Sequence, residues 1–250
     1  MFCPHCGKEI ADSHEFCQYC GDGVRVEGSA PGAGEREKTP WEDRAAQGAF
    51  KGLLKTVKGA LFSPVEFFKK MAVTGGFLDP ILYGLIVVMV GVIFSYLWQI
   101  LFQGSIQNYL PAEMKKMPWF NIFPTLGLAV LAVLMPFMII LGLFIWSGIL
   151  HVFLMMVKGT KNGFEATFRV VSYSYSPNIL NVIPFCGGVI AWVWSIVLAV
   201  IGLKEAHETS GGKAAFAVLF PFLLCCGLAV AVALLMMGVM AASIGAAAQH

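Results

Sequence analysis

Four long blocks of this chain contain no Lys, Arg, Asp or Glu: residues 80–112, 117–157, 170–203 and 214–250. A helix of about 20 apolar residues is long enough to cross the hydrocarbon core of a bilayer, and every block exceeds that length. The chain is also 58% hydrophobic and only 13% charged, which is far too apolar for a water-soluble domain of 250 residues. The sequence therefore predicts an all-α polytopic membrane protein.

The number of spans follows from the basic residues that lie between the blocks. The third block contains a strong turn signal (PFCGG) at 184–188, so we divide it into spans over about 170–183 and 189–203. With a cytosolic N-terminus, five spans leave only Lys115 and Lys116 outside the cytosol. Other divisions of the blocks into spans would place more basic residues outside, against the rule that basic loops stay in the cytosol. The other three spans are predicted over about 81–102, 123–157 and 214–240. The C-terminus is then predicted to lie outside.

The second predicted span, over about 123–157, is longer than a bilayer requires. Its roughly 35 residues would make a helix of about 52 Å, against a hydrocarbon core of about 30 Å. Such a helix must tilt, bend at Pro136 or extend into the cytosol, and a helical hairpin is the alternative. The sequence leaves both open.

Two C-x-x-C pairs stand within the first twenty residues, formed by Cys3, Cys6, Cys17 and Cys20. Four thiolates at this spacing are the ligand set of a structural zinc ion, and so short a segment cannot fold without a metal or disulfides. Disulfides would require an oxidising compartment, and no basic and apolar export signal precedes the cysteines. We therefore expect residues 1–22 to form a small zinc ribbon (a β-knuckle) in the cytosol.

The region between the cysteines and the first span has two parts. Residues 23–48 are rich in Gly, Pro, Ser and mixed charges, a composition that predicts a flexible linker. Residues 49–78 are predicted to form interfacial amphipathic helices, with lysines opposite an apolar face of Phe50, Leu53, Leu54, Val57 and Leu61. A helix packed on the cytosolic end of the bundle is the alternative. Residues 79–250 are then left for the five-span membrane domain.

Polar side chains at membrane depth form the first candidate site. Its residues are His151, Tyr173, Tyr175, Pro177, Asn178 and Asn181, most of them in the polar run 172–181. Such groups must find hydrogen-bond partners on neighbouring helices, so both interhelical contacts and a polar binding cleft are compatible with them.

A predicted cytosolic loop with Lys204, Glu205 and His207 forms the second candidate site. Glu205 and His207 offer metal-binding and titratable groups, but no third and fourth ligand follows, and a solvated capping loop is the alternative. The sequence contains no nucleophile beside a base, no paired carboxylates and no phosphate-binding loop. We therefore predict that the protein is not an enzyme.

Motifs in the second half of the chain lie in two segments, GTKNGFEATFRVVSYSYSPNILNVIP and GGVIAWVWSIVLAVIGLKEAHETSGGKAAFAVLFPFLL, and a third, LFSPVEFFKKM, lies upstream. Together they resemble the prokaryotic form of the Yip family of Ypt/Rab-interacting membrane proteins. The resemblance covers about residues 60–240. It implies five spans with a cytosolic N-terminus and, for eukaryotic members, a role in trafficking with Rab-type GTPases. A zinc ribbon ahead of such a domain fits the same resemblance.

Two functions are compatible with these features. The first is a non-enzymatic integral membrane scaffold or adaptor, membrane-shaping or trafficking-like, whose cytosolic zinc ribbon recruits a protein partner. The alternative is a small passive channel or permease that uses the polar run 172–181. We expect contacts with membrane lipids in a bacterial inner membrane and leave self-association open. A net charge of only +2 gives no reason to expect a nucleic-acid partner.

Overall fold

The computed structural model describes Cys6, Tyr19, Cys20 and residues 36–109 and 133–247. The chain divides into two compact units, Met1–Glu35 and Arg36–His250. In its described part the second unit is built from helices and short connections, with one isolated bridge between Glu37 and Met71. The predicted all-α fold is therefore confirmed.

Three helices precede the first long apolar helix. They are α1 (Arg44–Gln47), α2 (Ala49–Phe62) and α3 (Pro64–Lys70). The elements that follow are α4 (Leu78–Tyr109), α5 (Met135–Met156), α6 (Phe164–Ser174), a 3-10 helix (Ser176–Val182), α7 (Gly187–Ala206) and α8 (Gly211–Ala247). We call the end of the bundle at residues 157–163 and 207–210 the proximal face, and the end at residues 183–186 the distal face.

Four helices in the described part of the chain are long and apolar enough to cross a membrane. They run over Leu78–Phe102, Met135–Met156, Gly187–Ala206 and Gly211–Gly238. The predicted first, fourth and fifth spans are thus confirmed with small shifts of their ends. The second is confirmed from Met135 onward, and its predicted start at about residue 123 lies outside the described residues.

The predicted third span, over about 170–183, is wrong as a single helix. The chain forms α6 from Phe164, six residues earlier, and changes at Tyr175 to the 3-10 helix. Pro177 explains the change, because proline has no N–H for an α-helical hydrogen bond and disfavours helical geometry in the residue before it. We call Phe164–Val182, that is α6 with the 3-10 helix, the polar passage.

The polar passage still connects the two faces of the bundle. At the proximal face Asn162, just before α6, donates from Nδ2 to the carbonyl of Ala206 at 2.6 Å. Near the distal face Trp98 of α4 donates from Nε1 to the carbonyl of Asn181 at 3.0 Å. The described bundle therefore has five passes, four of them continuous spans and one a broken pass through the protein interior.

Residues 36–48 correct a second prediction, because they are part of the bundle and not a flexible linker. Arg36 donates to the carbonyl of Glu205 at 2.9 Å, and Trp41 donates from Nε1 to the carbonyl of Asp79 at 2.8 Å. The Trp41 side chain is only 5% exposed. The predicted linker of 23–48 is thus too long at its C-terminal end.

Helix α2 has two kinds of apolar surface. Its inner face, with Thr56, Val57 and Ala60, packs on the segment before it, and the Thr56 hydroxyl accepts from the backbone N–H of Trp41 at 2.8 Å. Phe50 and Phe62 lie on the outside and are 75% and 77% exposed. The packing predicted as the alternative is therefore present on one side of α2, and the other side is free for a different contact.

Candidate functional site

A buried ion pair joins the N-terminal segment to the polar passage. Arg169 of α6 pairs with Glu42, and the two side chains are 1% and 5% exposed. The Arg169 guanidinium also donates to the carbonyls of Ala72 at 2.7 Å and Gly76 at 3.3 Å. The two buried charges of Arg169 and Glu42 thus neutralise each other, and carbonyl dipoles bind the rest of the guanidinium. Charged groups can be buried away from water only when they are paired in this way.

Tyr173 extends this ion pair by one helical turn. Its hydroxyl donates to the same Glu42 oxygen and accepts from Thr39 Oγ1 at 3.1 Å. Tyr173 is completely buried. We call Thr39, Glu42, Arg169 and Tyr173 the anchor network, because it fixes the N-terminal segment to the interior of the bundle.

The anchor network escaped the sequence analysis for a physical reason. Glu42 falls in the predicted linker 23–48 and Arg169 directly precedes the third predicted span, so the two residues are far apart in the chain. The available signal was Arg169 itself, which is followed by apolar residues and by Tyr173 at the (i, i+4) helical spacing. An arginine in that setting requires a carboxylate partner, although local spacing does not identify which one.

A second network joins the two candidate histidines, which the sequence had assigned to separate sites. Thr167 Oγ1 of α6 lies 2.8 Å from His151 Nδ1 and 2.9 Å from His207 Nε2. The backbone N–H of Asn162 donates to His207 Nδ1 at 3.2 Å. Because Nδ1 is an acceptor, neutral His207 carries its proton on Nε2 and donates it to Thr167, whose hydroxyl is then free to donate to His151.

His207 is held in its neutral form. Burial is the main reason that its pKa falls from 6.5 to about 4, and the neighbouring His151 ring and Arg36 guanidinium lower the pKa further because they disfavour a second positive charge. Lys204 and Glu205 do not join it, because they pair with each other at 2.8 Å. The predicted loop site is therefore split, with His207 facing the bundle.

Ser176, Asn178 and Asn181 of the run 172–181 make local and interhelical hydrogen bonds, whereas the buried hydroxyls of Ser172 and Ser174 make none in the structure. Asn178 donates from Nδ2 to the carbonyl of Tyr175, and Asn181 to that of Asn178, both at 2.9 Å. Ser176 lies 2.7 Å from the hydroxyl of Tyr83 on α4. Pro177 stands in the first turn of the 3-10 helix. These contacts bring the run together as one surface against α4, while His151 belongs to the other network.

The cysteine pairs are described only in part. Cys6 and Cys20 are exposed, and Cys3 and Cys17 lie outside the described residues. Among the residues that the structure describes, no three His, Cys, Asp or Glu side chains form a group that could hold a metal. The donor set itself fits zinc, because two C-x-x-C pairs supply four thiolates for a tetrahedral site.

Comparison with known families accounts for both parts of the chain. A zinc-ribbon domain matches residues 2–24, and the Yip1 domain matches residues 58–244, which is well over half of the sequence. Comparisons with curated proteins and with solved structures gave no match. The resemblance found in the sequence is thus confirmed, together with the zinc ribbon ahead of it. The chain belongs to the Yip1 domain family.

Proposed function

We propose that this protein is a non-enzymatic membrane adaptor, in which a Yip1 bundle holds a zinc ribbon that recruits a cytosolic protein. The observation that carries the proposal is that residues 36–48, which lie between the zinc-ribbon match and the Yip1 match, are attached to the bundle. The second compact unit begins at Arg36, before the Yip1 match begins at residue 58. The anchor network fastens this segment to the bundle, so the chain that leads to the ribbon starts from a fixed point.

The charge distribution supports a cytosolic proximal face. In the described part of the chain, the basic residues all lie on the proximal side of the spans. They are Arg36, Lys38, Arg44, Lys51, Lys55, Lys58, Lys69, Lys70, Lys158, Lys161, Arg169, Lys204 and Lys213. Basic residues flanking spans are enriched on the cytosolic side, so we place the N-terminus there and the end of α8 on the opposite side.

The outer surface of α2 and α3 supports a contact with the membrane surface. Phe50, Phe62 and Val65 are exposed, at 75%, 77% and 50%, and lysines lie between them. Apolar rings can enter the boundary between headgroups and acyl chains while lysines contact anionic lipids. We propose that these helices lie on the inner leaflet of a bacterial inner membrane.

Zinc is proposed as the structural cofactor of the ribbon. Cys3, Cys6, Cys17 and Cys20 would hold it, and the ion would supply the folding energy that so short a segment lacks. Purified full-length protein should contain one zinc per chain by elemental analysis. A Cys17→Ser and Cys20→Ser double variant should contain none, and a folded ribbon without metal would contradict the assignment.

Crosslinking in cells tests recruitment. Full-length protein should capture a cytosolic partner that is lost both in the double cysteine variant and after deletion of residues 1–35. Deletion to residue 35 is preferred over deletion to residue 48, because residues 36–48 belong to the bundle. Identical partners from all three chains would refute recruitment by the ribbon.

A passive channel along residues 172–181 is the competing function. The hydrogen bonds of Ser176, Asn178 and Asn181 engage the polar groups that would line such a path. We therefore favour the adaptor. Flux of ions or small solutes in proteoliposomes that an Asn178→Leu variant abolished, with the bundle still folded, would reverse this preference.

A further inference from the structure

A cavity of about 280 Å³ lies between residues 37–40, α2 and α3. Its size is near the lower end of the range for ligand pockets, about 300–1,000 Å³, so it suits a small polar group. Five charged residues line it, and all five are exposed: Glu37, Lys38, Lys55, Glu66 and Lys70. A ligand that enters the cavity can therefore reach them.

One end of this cavity is acidic. Lys70 pairs with Glu66 at 2.8 Å, and the backbone N–H of Glu37 donates to the carbonyl of Lys70 at 2.6 Å. The pKa of Lys70 is raised, mainly by its hydrogen bond to Glu66 and to a smaller extent by the charge of Glu37, so the Glu37 carboxylate lies at the same end. Two carboxylates thus share one ammonium group, which leaves an excess of negative charge.

The other end of the cavity is basic. Lys55 Nζ donates to Gln47 Oε1 at 2.9 Å, and Gln47 Nε2 donates to the carbonyl of Pro40 at 2.8 Å, so Lys55 lies near the Pro40 end of the segment 37–40. Lys38 lies within the same segment. Neither lysine pairs with a carboxylate in the described part of the chain. A ligand with one anionic and one cationic group complements the charges at both ends.

Exposed apolar side chains beside the cavity indicate that this ligand also carries apolar chains. Phe62 and Val65 are 77% and 50% exposed, and each directly precedes a residue of the lining, Ser63 and Glu66. A small water-soluble zwitterion would leave both apolar side chains in water. A lipid covers them with its acyl chains while its headgroup occupies the cavity.

We propose that this cavity binds the headgroup of phosphatidylethanolamine. Lys38 and Lys55 contact its phosphodiester, and its ammonium group donates to Glu37 and Glu66. Phosphatidylglycerol offers no cation to these carboxylates, and the quaternary ammonium of phosphatidylcholine has no N–H to donate. The inference rests on the proposed contact of α2 and α3 with the inner leaflet and names the lipid that this contact selects.

Native mass spectrometry of the full-length protein tests the selection. The protein is released from detergent micelles that contain equal amounts of dioleoyl phosphatidylethanolamine, phosphatidylglycerol and phosphatidylcholine, so that only the headgroups differ. We expect the ethanolamine lipid to bind at least about tenfold more tightly than the other two, the usual effect of one charge-assisted hydrogen bond. Equal binding of the three lipids would overturn the proposal.

Substitutions at exposed positions assign the two ends of the cavity. Glu37→Gln should remove most of the preference for phosphatidylethanolamine, whereas Lys55→Gln should weaken phosphatidylethanolamine and phosphatidylglycerol alike, because both carry a phosphodiester. Lys51→Gln is the matched control, since Lys51 is exposed on α2 and lies outside the cavity lining. A preference that Glu37→Gln leaves unchanged would contradict the role of the acidic end.

Two further measurements separate the headgroup site from the leaflet contact on which it rests. The double variant Phe62→Ser with Val65→Ser should weaken all three lipids and keep their order. If it weakens three lipids that already bind equally, the leaflet contact holds and the headgroup site is wrong. Glycerophosphoethanolamine is the soluble headgroup without acyl chains and should compete poorly. Competition as strong as that of the lipid, with no effect of the double variant, would overturn the leaflet contact and the lipid as the occupant.

Discussion

The polar passage and α7 cross the same thickness of the bundle, but α7 is an apolar helix with an open surface, whereas the polar passage is buried and rich in polar side chains. Helix α7 is continuous and much of its surface is open, with Val189 65% and Trp192 54% exposed. The polar passage is broken after Ser174, and residues 166–174 are all buried. Hydropathy therefore reports which helices face lipid, because only those must be apolar on the outside. A pass that is covered by other helices is free to be polar if its groups find partners.

Different forces hold α7 and the polar passage in the bundle. Lipid is as apolar as leucine, so α7 is held mainly by close packing. Gly202 shows this, because a Cβ at that position would lie 2.5 Å from Val170 Cγ1. The polar passage instead makes hydrogen bonds through Arg169, Tyr173 and Ser176 to elements distant in sequence. Substitutions that remove polar groups should therefore have larger effects there than on α7.

Arg169→Met should produce the largest loss of stability. It leaves the buried Glu42 carboxylate without its cation, which typically costs about 3–5 kcal/mol of unfolding free energy. Lys204→Met is the matched control on α7, because its pair with Glu205 is partly exposed and typically contributes less than about 1 kcal/mol. Reversible unfolding in mixed micelles with rising mole fraction of denaturing detergent measures both.

The double variant Arg169→Met with Glu42→Gln sharpens this test. Removal of both charges should restore much of the stability lost in Arg169→Met, since the penalty comes from one unpaired charge. Equal losses in Arg169→Met and Lys204→Met would show that the ion pair is solvated, and the contrast between the two passes would fail.

Acidification should destabilise the junction between α7 and the polar passage. The pKa of His207 is about 4 in the folded protein and near 6.5 when unfolded, so the unfolded chain binds the proton first. Stability is therefore full above pH 6.5 and is lost as the pH falls toward 4, by up to about 3 kcal/mol. Unfolding free energies of wild type and His207→Gln across this range measure the effect. The difference in unfolding free energy between wild type and His207→Gln should become smaller at low pH. A difference that does not change with pH would contradict a lowered pKa of His207 in the folded protein.

Local patterns in the sequence were sufficient for most of the architecture. The apolar blocks predicted the helices that face lipid, and the spacing of the cysteines predicted the zinc ribbon, because both signals depend on neighbouring residues. The anchor network and the link from His151 through Thr167 to His207 could not be found this way. Their members are brought together by tertiary packing, and residues 36–48 have the composition of a linker although they fold against the bundle.

Gly91→Ala tests the close approach of α4 to the polar passage. A Cβ at this position would lie 2.7 Å from the carbonyl oxygen of Asn178 and 2.8 Å from Asn181 Nδ2, so the backbone would have to move. Overpacking of this kind typically costs about 1–3 kcal/mol. Gly142→Ala on α5 is the control, because its Cβ would meet nothing within 4 Å and should be neutral or slightly stabilising. Similar melting temperatures for the two variants would contradict this close approach.

Tyr83→Phe should have the smallest of these effects. Ser176 Oγ donates to the carbonyl of Tyr173 at 2.5 Å, so the buried Tyr83 hydroxyl is the donor in its 2.7 Å contact with Ser176. Loss of this bond should cost about 1 kcal/mol. A double-mutant cycle with Ser176→Ala should give a coupling energy of similar size, whereas Tyr83→Phe with Ser195→Ala on α7 should be additive within about 0.5 kcal/mol. Additivity in both cycles would mean that this hydrogen bond does not hold the polar passage to α4, and that packing secures this contact as it secures α7.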